Sequence, residues 1–190
     1  MRVTLFISML LCVLLLANCT KDREFPIPSP TPPVGSADSI LPGTLRINEF
    51  MAKGSSFPNE LFPGCTDCDW LEIYNTTTDT IFFSSNAWYL TDDLTDSTKF
   101  ELKDTLILPL GYLTIQCDGA DTTSAQIHSN FNLSSGGESI ALFYQGSALF
   151  AVDAYDFGPQ SPGVAMARFP DGSVNWISTN NPTPNAPNQP

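Results

Sequence analysis

The stretch "DWLEIYN", residues 69–75, decides how the rest of the chain is interpreted. In an extended strand, alternate side chains point to opposite faces of the sheet. Leu71 and Ile73 then share one face, while Trp70 and Glu72 share the other. The stretch therefore predicts a β-strand that buries Leu71 and Ile73.

Similar short apolar or alternating runs recur on both sides of this stretch, with turn residues between them. Gly136-Gly137 and Pro170-Asp171-Gly172 are hairpin signals. We expect the run that contains Leu113 and Ile115 to pack against residues 69–75. Strands of this length and spacing, with no long run of period 3.6, predict an all-β sandwich or barrel. The other clear runs are TLRINEFMA (44–52), TIFFSS (80–85), AWYLTDD (87–93), TKFEL (98–102), GYLTIQC (111–117), ESIALFYQ (138–145), LFAVDAYDF (149–157), VAMARF (164–169) and SVNWIS (173–178).

Residues 44–190 contain, in order, six blocks that resemble the landmarks of the lamin tail domain family. The resemblance implies an immunoglobulin-like β-sandwich. Bacterial members occur in secreted and surface proteins, and the family is regarded as a binding or targeting module, so the resemblance implies binding rather than catalysis. The blocks are INEFMA (47–52), DWLEIYN (69–75), WYLTDD (88–93), GYLTIQCDG (111–119), IHSNFNLSSGGESIALF (127–143) and RFPDGSVNW followed by PTPNAPN (168–188).

The N-terminus carries an apolar run, residues 3–16, that ends just before a cysteine. A transmembrane helix needs about 20 apolar residues, so this shorter run is typical of a secretory signal. The sequence "LANC" resembles the bacterial lipobox, which implies cleavage after Asn18 and a lipid on Cys19 that anchors the chain. The alternative is an uncleaved signal anchor with an incidental cysteine. We therefore predict a signal peptide over residues 1–18.

Residues 19–43 link the lipidated cysteine to the β-domain and are rich in proline, which favours an extended polyproline II spacer. Lys21-Asp22 resembles the surface-export signal of Bacteroidota lipoproteins, although Arg23 interrupts the acidic residues that follow. We expect an outer-membrane lipoprotein of the cell envelope, displayed on the surface if this signal is functional. The membrane is then one partner, through the N-terminal lipid.

The charge of the chain bears on its other partners. The chain has 20 acidic and 8 basic side chains; removal of Arg2 with the signal leaves 20 against 7, a formal charge of −13. Binding to nucleic acid depends mainly on Lys and Arg contacts to phosphates, so nucleic acid is not an expected partner. The remaining partner is an unknown protein or glycan.

Three cysteines remain after Cys12 is lost with the signal and Cys19 is lipidated. Exported proteins favour disulfides, so we expect one disulfide among Cys65, Cys68 and Cys117, as Cys65–Cys68 or Cys68–Cys117. The alternative is a zinc site that adds His128 to the three cysteines, but the spacing of the last two ligands matches no zinc motif. We therefore expect no metal.

His128 is the only histidine, and a histidine-dependent hydrolase would have to use it. It falls inside the fifth family block, where we expect it to bond a loop backbone. The motifs G-x-S-x-G, H-E-x-x-H and the phosphate loop are missing from the sequence. We predict no catalytic residues, no cofactor and no enzymatic activity.

Five aspartates lie in loops where strands are expected to end: Asp92, Asp93, Asp96, Asp118 and Asp121. Clustered carboxylates bind calcium together with backbone carbonyls. The competing interpretation is turn chemistry, because Asp side chains bond their own neighbouring backbone. No EF-hand spacing occurs, which favours turns.

Several aromatic residues offer a second functional interpretation, a carbohydrate-binding module of a surface glycan system. Trp70, Trp176 and Tyr74 are more typical of core or cross-strand pairs than of a sugar platform. Adjacent residues of a strand point to opposite faces, so one of Trp88 and Tyr89 is expected to lie outside the core.

The triplet Asp, then Ser or Thr, then Ala, Ile, Leu, Val, Met or Thr is an O-glycosylation signal of Bacteroidota. It occurs five times, and the candidate sites are Ser39, Thr80, Ser97, Thr105 and Thr122. Its alternative explanation is a turn that enters a strand, where Thr and Ile are favoured.

Overall fold

The computed structural model describes residues 40–53, 67–123 and 126–190. These ranges contain thirteen strands and no helix, and hence no helix that is long and apolar enough to cross a membrane. The strands are β1 (Leu45–Met51), β2 (Asp69–Asn75), β3 (Ile81–Phe83), β4 (Trp88–Thr91), β5 (Phe100–Leu102), β6 (Thr105–Ile107), β7 (Tyr112–Cys117), β8 (Thr122–Thr123), β9 (Ile127–Ser129), β10 (Glu138–Gln145), β11 (Leu149–Phe157), β12 (Ala165–Arg168) and β13 (Trp176–Thr179).

In the described part of the chain, the strands form two main sheets and a small ribbon. The larger sheet has the order β13-β12-β1-β2-β7-β9-β8, and its strands are antiparallel except for the parallel pair β7–β9. The second sheet has the order β11-β10-β4-β5, and β3 pairs with β6. Buried side chains of all three sheets form one apolar cluster. The fold is therefore the predicted all-β sandwich.

The pairing of β2 with β7 confirms the prediction made from residues 69–75. Leu71 lies opposite Ile115, and Ile73 lies opposite Leu113. Leu71, Ile73 and Ile115 are fully buried, and Leu113 packs on the same cluster. The other face of β2 is covered as well, since Trp70 packs in a second small cluster. Because both faces of β2 are covered, the polar Glu72 is as fully buried as Leu71 and Ile73.

A β-bulge at Asn48 changes the phase of β1. Ile47 pairs with Ile73, but Glu49 pairs with Glu72, so Asn48 is an extra residue in the ladder. Such an insertion moves the following side chains to the opposite faces. Phe50 therefore joins Ile47 in the apolar core, and Glu49 lies on the face away from that core.

The two glycine-rich turn signals have different outcomes. The Pro170–Gly172 turn connects β12 and β13, which pair as the predicted hairpin. The Gly136-Gly137 turn does not form a hairpin, because β9 and β10 belong to different sheets. Here the chain crosses between the sheets, and a side chain at Gly137, whose φ is 100°, would meet the Phe157 carbonyl oxygen at 2.6 Å. The glycine is needed for this crossing rather than for a hairpin.

Candidate functional site

A pair of buried glutamates lies on the outer face of the larger sheet. Glu49 and Glu72 are cross-strand neighbours, and neither has any exposed surface. Local features place both side chains on this face. The bulge at Asn48 turns Glu49 away from the core, and the alternation of side chains along β2 puts Glu72 on the face opposite to that of Leu71. We refer to Glu49 and Glu72 as the acid pair.

The last residues of the chain, 180–190, cover the acid pair and are called the C-terminal strap. The backbone N–H of Thr183 donates to both carboxylate oxygens of Glu49 at 3.1 Å. The backbone N–H of Asn185 donates to Glu72 Oε2 at 2.5 Å, and the Asn48 side-chain amide donates to Glu72 Oε1 at 3.4 Å. The acid pair therefore fastens the C-terminal strap to β1 and β2.

Burial raises the pKa of both carboxyls of the acid pair. The pKa of Glu49 rises to about 7 because burial outweighs the hydrogen bonds from Thr183. The pKa of Glu72 rises to about 8, first through burial and then through repulsion by Glu49. Both carboxyls therefore change protonation near neutral pH, so the attachment of the C-terminal strap to the acid pair depends on pH.

A second polar group continues the strap contact towards β12. The backbone N–H of Asn188 donates to Asp171 Oδ1 at 3.1 Å, and its side-chain amide donates to the Arg168 carbonyl at 2.9 Å. The Tyr112 hydroxyl donates to Asp171 Oδ2 at 2.7 Å. Burial and the Asp171 carboxylate raise the pKa of Tyr112, so this hydroxyl remains a donor. Asp171, a turn residue in the sequence, thus joins three segments.

A buried ion-pair network holds the edge of the larger sheet to β11. Arg168 donates to both Asp153 oxygens at 3.2 and 3.0 Å, and Arg46 donates to Asp153 Oδ1 at 2.9 Å. Arg168 also donates to the Ile47 carbonyl at 2.8 Å and lies 4.6 Å from the Trp176 ring. Every partner is a structural element, so this network positions strands and is not a binding site.

The loop aspartates considered for calcium are engaged with their own loops. Asp93 Oδ1 accepts from the Thr95 backbone and hydroxyl, and Asp96 Oδ1 accepts from the Thr98 backbone at 3.3 Å. Asp92 forms an ion pair with Lys99 at 2.6 Å. Within residues 40–53, 67–123 and 126–190, no group of three or more His, Cys, Asp or Glu is placed to hold a metal ion. The geometry corresponds to turn chemistry.

Asp118 also engages its own loop, since the Ala120 backbone N–H donates to Asp118 Oδ1 at 3.0 Å, and it has two further partners. Asp118 accepts from Gln116 at 3.0 Å and lies 2.8 Å from His128 Nδ1. His128 therefore contacts a carboxylate rather than the loop backbone that the sequence suggested, because its strand β9 runs parallel to β7 and brings it beside Gln116. Asp121 is exposed in the turn that precedes β8.

The cysteines are separated by the fold. Cys117 is a free thiol, fully buried in the core, and burial raises its pKa. The proposed Cys68–Cys117 disulfide is therefore wrong. Cys68 is disulfide-bonded, and Cys65 lies outside the described residues, as does Cys19. The Cys65–Cys68 pairing remains a prediction.

The predicted glycosylation sites lie at different depths. Thr122 is exposed, whereas Thr80, Ser97 and Thr105 are half-buried. Thr80 directly precedes β3 and Thr105 begins β6, so both triplets lie where a turn leads into a strand. Ser39 lies outside the described residues, and modification of the five sites stays a prediction.

The aromatic residues are mostly in the interior. Trp70 and Trp88 are buried, and Trp176 stacks on Tyr155 with 4.0 Å between ring centroids. Tyr74 contacts Tyr112 at 5.1 Å. Tyr89 is the member of the Trp88-Tyr89 pair that lies outside the core, because Trp88 faces the other sheet.

An apolar strip lies on the ribbon formed by β3 and β6. Phe82 and Leu106 are register partners, so their side chains share the outer face, and they are 42% and 41% exposed. Leu108 and Leu110 follow Leu106 and are 61% and 53% exposed. We call these four residues the apolar strip. β6, a strand of three residues, was not among the predicted strand runs.

A polar groove of about 620 Å³ lies beside β4 and β5. Its lining includes Tyr89 of β4 and Glu101, its register partner on β5. The lining also includes Lys99 and Asn130. From the sequence, Tyr89 is only a candidate for exposure, and the charged residues around it carry no signal of a site, since strand pairing alone brings them together.

The comparisons with known proteins agree with this architecture. The family model described as Lamin Tail Domain matches residues 40–159, more than half of the chain. No curated protein and no solved structure matches the chain. The matched residues end before β12 and β13, yet these two strands extend the same sheet through β1. With its all-β sandwich and this match, the chain belongs to the lamin tail domain family, a family of β-sandwich modules of the protein-interaction type.

Proposed function

We propose that this protein is a non-catalytic binding module, anchored in the cell envelope by a lipid on Cys19, and that the apolar strip is the surface that receives its protein partner. The observation that carries the proposal is the exposure of the cross-strand pair Phe82 and Leu106. Exposed apolar side chains that adjoin one another, as Phe82 and Leu106 do, mark an interaction site more often than singly scattered ones.

The surroundings of the apolar strip define the chemistry of the partner. Asp79 precedes β3 and Asp104 precedes β6, and both are exposed. Because β3 and β6 are antiparallel, these two carboxylates lie at opposite ends of the ribbon. The partner is therefore a segment with apolar side chains between Lys or Arg residues. A second copy of this chain is a poor partner, because the net charge of −12 makes two copies repel.

The burial of the other polar groups supports a binding role. The acid pair, Asp171 and the Arg168–Asp153 network each hold one segment of the fold to another. The apolar strip has no such structural task, because Ile81, Phe83 and Ile107 on the inner face already attach the ribbon to the core.

Site-specific photo-cross-linking in the native host tests the protein partner. A photoreactive phenylalanine analogue at position 106 should give a discrete adduct, while the same analogue at Val174, which is 75% exposed, should give none. Phe82→Ser should remove the adduct, and Asp79→Asn with Asp104→Asn should weaken it. The cross-linked peptide should carry apolar residues flanked by Lys or Arg. Equal labelling from positions 106 and 174 would refute the strip as the binding surface.

Metabolic labelling tests the anchor. Cys19→Ser removes the thiol that accepts the diacylglyceryl group, so the variant should remain unprocessed and unlabelled by a clickable fatty acid. Cys117→Ser is the matched control, since Cys117 is buried in the β-domain, and it should label like the wild type. Label on the Cys19→Ser variant equal to the wild type would end the lipoprotein proposal.

A further inference from the structure

We propose that the polar groove beside β4 and β5 binds a neutral oligosaccharide, as a second site whose lining includes none of the four residues of the apolar strip. The volume of about 620 Å³ lies within the roughly 300–1,000 Å³ of small-molecule sites. Residues of β4 and β5 line it together with Asp121 and Asn130 from other parts of the chain.

The floor of the groove offers an aromatic surface. Tyr89, on β4, lines the groove and is only partly buried, so part of its ring is open to a ligand. A sugar ring presents C–H groups on one face, and the electron-rich face of an aromatic ring attracts such partial positive charge.

The walls of the groove offer hydrogen-bonding groups that the protein leaves free. Within the described residues, neither the Tyr89 hydroxyl nor the Asn86 side-chain amide has a hydrogen-bond partner. The Asn130 amide donates to the Lys99 carbonyl at 2.7 Å, which leaves its oxygen to accept. A carboxamide supplies both donors and an acceptor, and hydroxyl groups of a sugar require both.

The charges of the groove are paired, which excludes an anionic ligand. Lys99 is bound to Asp92 at 2.6 Å, and Lys103 is bound to Glu101 at 3.2 Å. Asp121 adds a further negative charge to the lining. A phosphate, sulfate or uronate would meet no unpaired cation among these lining residues, whereas a neutral polyhydroxyl ligand can bond to both members of an ion pair.

A peptide is less suitable than a glycan for this groove. Peptide recognition needs pockets for apolar side chains, but the apolar Phe100 in the lining is only 2% exposed. The remaining lining side chains are polar, apart from the Tyr89 ring. The lining thus matches hydroxyl groups and one stacking face.

Calorimetric titration tests the proposal with the full-length protein purified in detergent. The probes are five neutral hexasaccharides, namely cellohexaose, xylohexaose, mannohexaose, laminarihexaose and N-acetylchitohexaose, and a heparin hexasaccharide as the anionic comparison. At least one neutral probe should bind at submillimolar to millimolar concentration. Its affinity should fall at least tenfold in Tyr89→Ala and severalfold in Asn130→Ala.

Two control variants test whether the Tyr89 ring and the groove itself account for the binding. Tyr89→Phe keeps the ring and should lose less affinity than Tyr89→Ala, while Phe82→Ser in the apolar strip should bind the probe like the wild type. Thermal unfolding of each variant checks that the fold is retained. The proposal fails if no neutral probe binds, if the heparin hexasaccharide binds best, or if Tyr89→Ala binds as the wild type does. None of these results bears on cross-linking at position 106.

Discussion

The stability of this protein should decrease as the pH rises from 5 to 9, because the acid pair is buried under the C-terminal strap. Above its pKa, each buried carboxyl must either carry its charge in the interior or open the strap to water. In the unfolded chain, the same carboxyls ionise near their ordinary value of 4.5. The folded state therefore binds more protons than the unfolded state between pH 4.5 and 8, and the free energy of unfolding falls with pH in that window.

The magnitude follows from the pKa values of the folded state. For Glu72 the pKa rises from 4.5 to about 8, and about 1.4 kcal/mol for each unit gives an upper limit of roughly 5 kcal/mol. For Glu49 the pKa rises from 4.5 to about 7, which corresponds to roughly 3.5 kcal/mol at most. Repulsion between the two carboxylates is shared, so the effects do not add fully. We expect a total fall of at least about 3 kcal/mol, a large share of a domain's stability.

The substitution Glu72→Gln isolates this effect. Its carbonyl oxygen can still accept from the Asn185 N–H, and only the long contact with the Asn48 amide, 3.4 Å, is lost. Because glutamine stays neutral, the pH-dependent loss of stability should be smaller than in the wild type by at least about 2 kcal/mol. Glu101→Gln is the matched control: hydrogen bonding from Asn86 lowers the pKa of Glu101, so its removal should not change the profile above pH 5.

Urea unfolding of residues 35–190, followed by tryptophan fluorescence at five pH values between 5 and 9, measures the profile. A free energy of unfolding that stays level or increases with pH would refute the reasoning. So would a Glu72→Gln profile that is parallel to the wild type.

Three further predictions concern the core, the Cys117 thiol and the predicted O-glycosylation sites. Ile73→Ala removes a fully buried side chain and should cost about 2–5 kcal/mol in urea unfolding; an unchanged midpoint would contradict the β2–β7 core. Native Cys117 should resist thiol reagents and react once denatured, with one thiol counted per β-domain; a second thiol in the unreduced protein would exclude the predicted Cys65–Cys68 disulfide. Intact mass from the native host should exceed that from a host without the glycosylation pathway, and Ser39→Ala, Ser97→Ala and Thr122→Ala together should remove most of the difference; equal masses would leave the triplets as turn chemistry.

The positions of most strands were predictable, because apolar and polar residues alternate along a half-buried strand with a period of two. The runs at residues 138–145 and 149–157 match β10 and β11 in full. β6, β8 and β9 were not among the predicted runs, whereas the equally short β3 and β5 lie inside the longer predicted runs 80–85 and 98–102. The prediction of a hairpin at Gly136-Gly137 was wrong, because a glycine indicates only that the backbone can adopt a positive φ. A crossing between two sheets can require a positive φ as much as a hairpin does.

The sequence by itself determined the sandwich, the burial of Leu71 and Ile73, and the family, since each depends on local alternation or on ordered blocks. Only the tertiary structure decided which polar groups meet. The bulge at Asn48 places Glu49 beside Glu72, and residues more than a hundred positions later cover both. In the same way, the groove combines Tyr89 of β4 and Glu101 of β5 with Asp121 and Asn130, which lie later in the sequence. Register and strand order set these contacts, and they arise from the packing of the whole core rather than from any short segment.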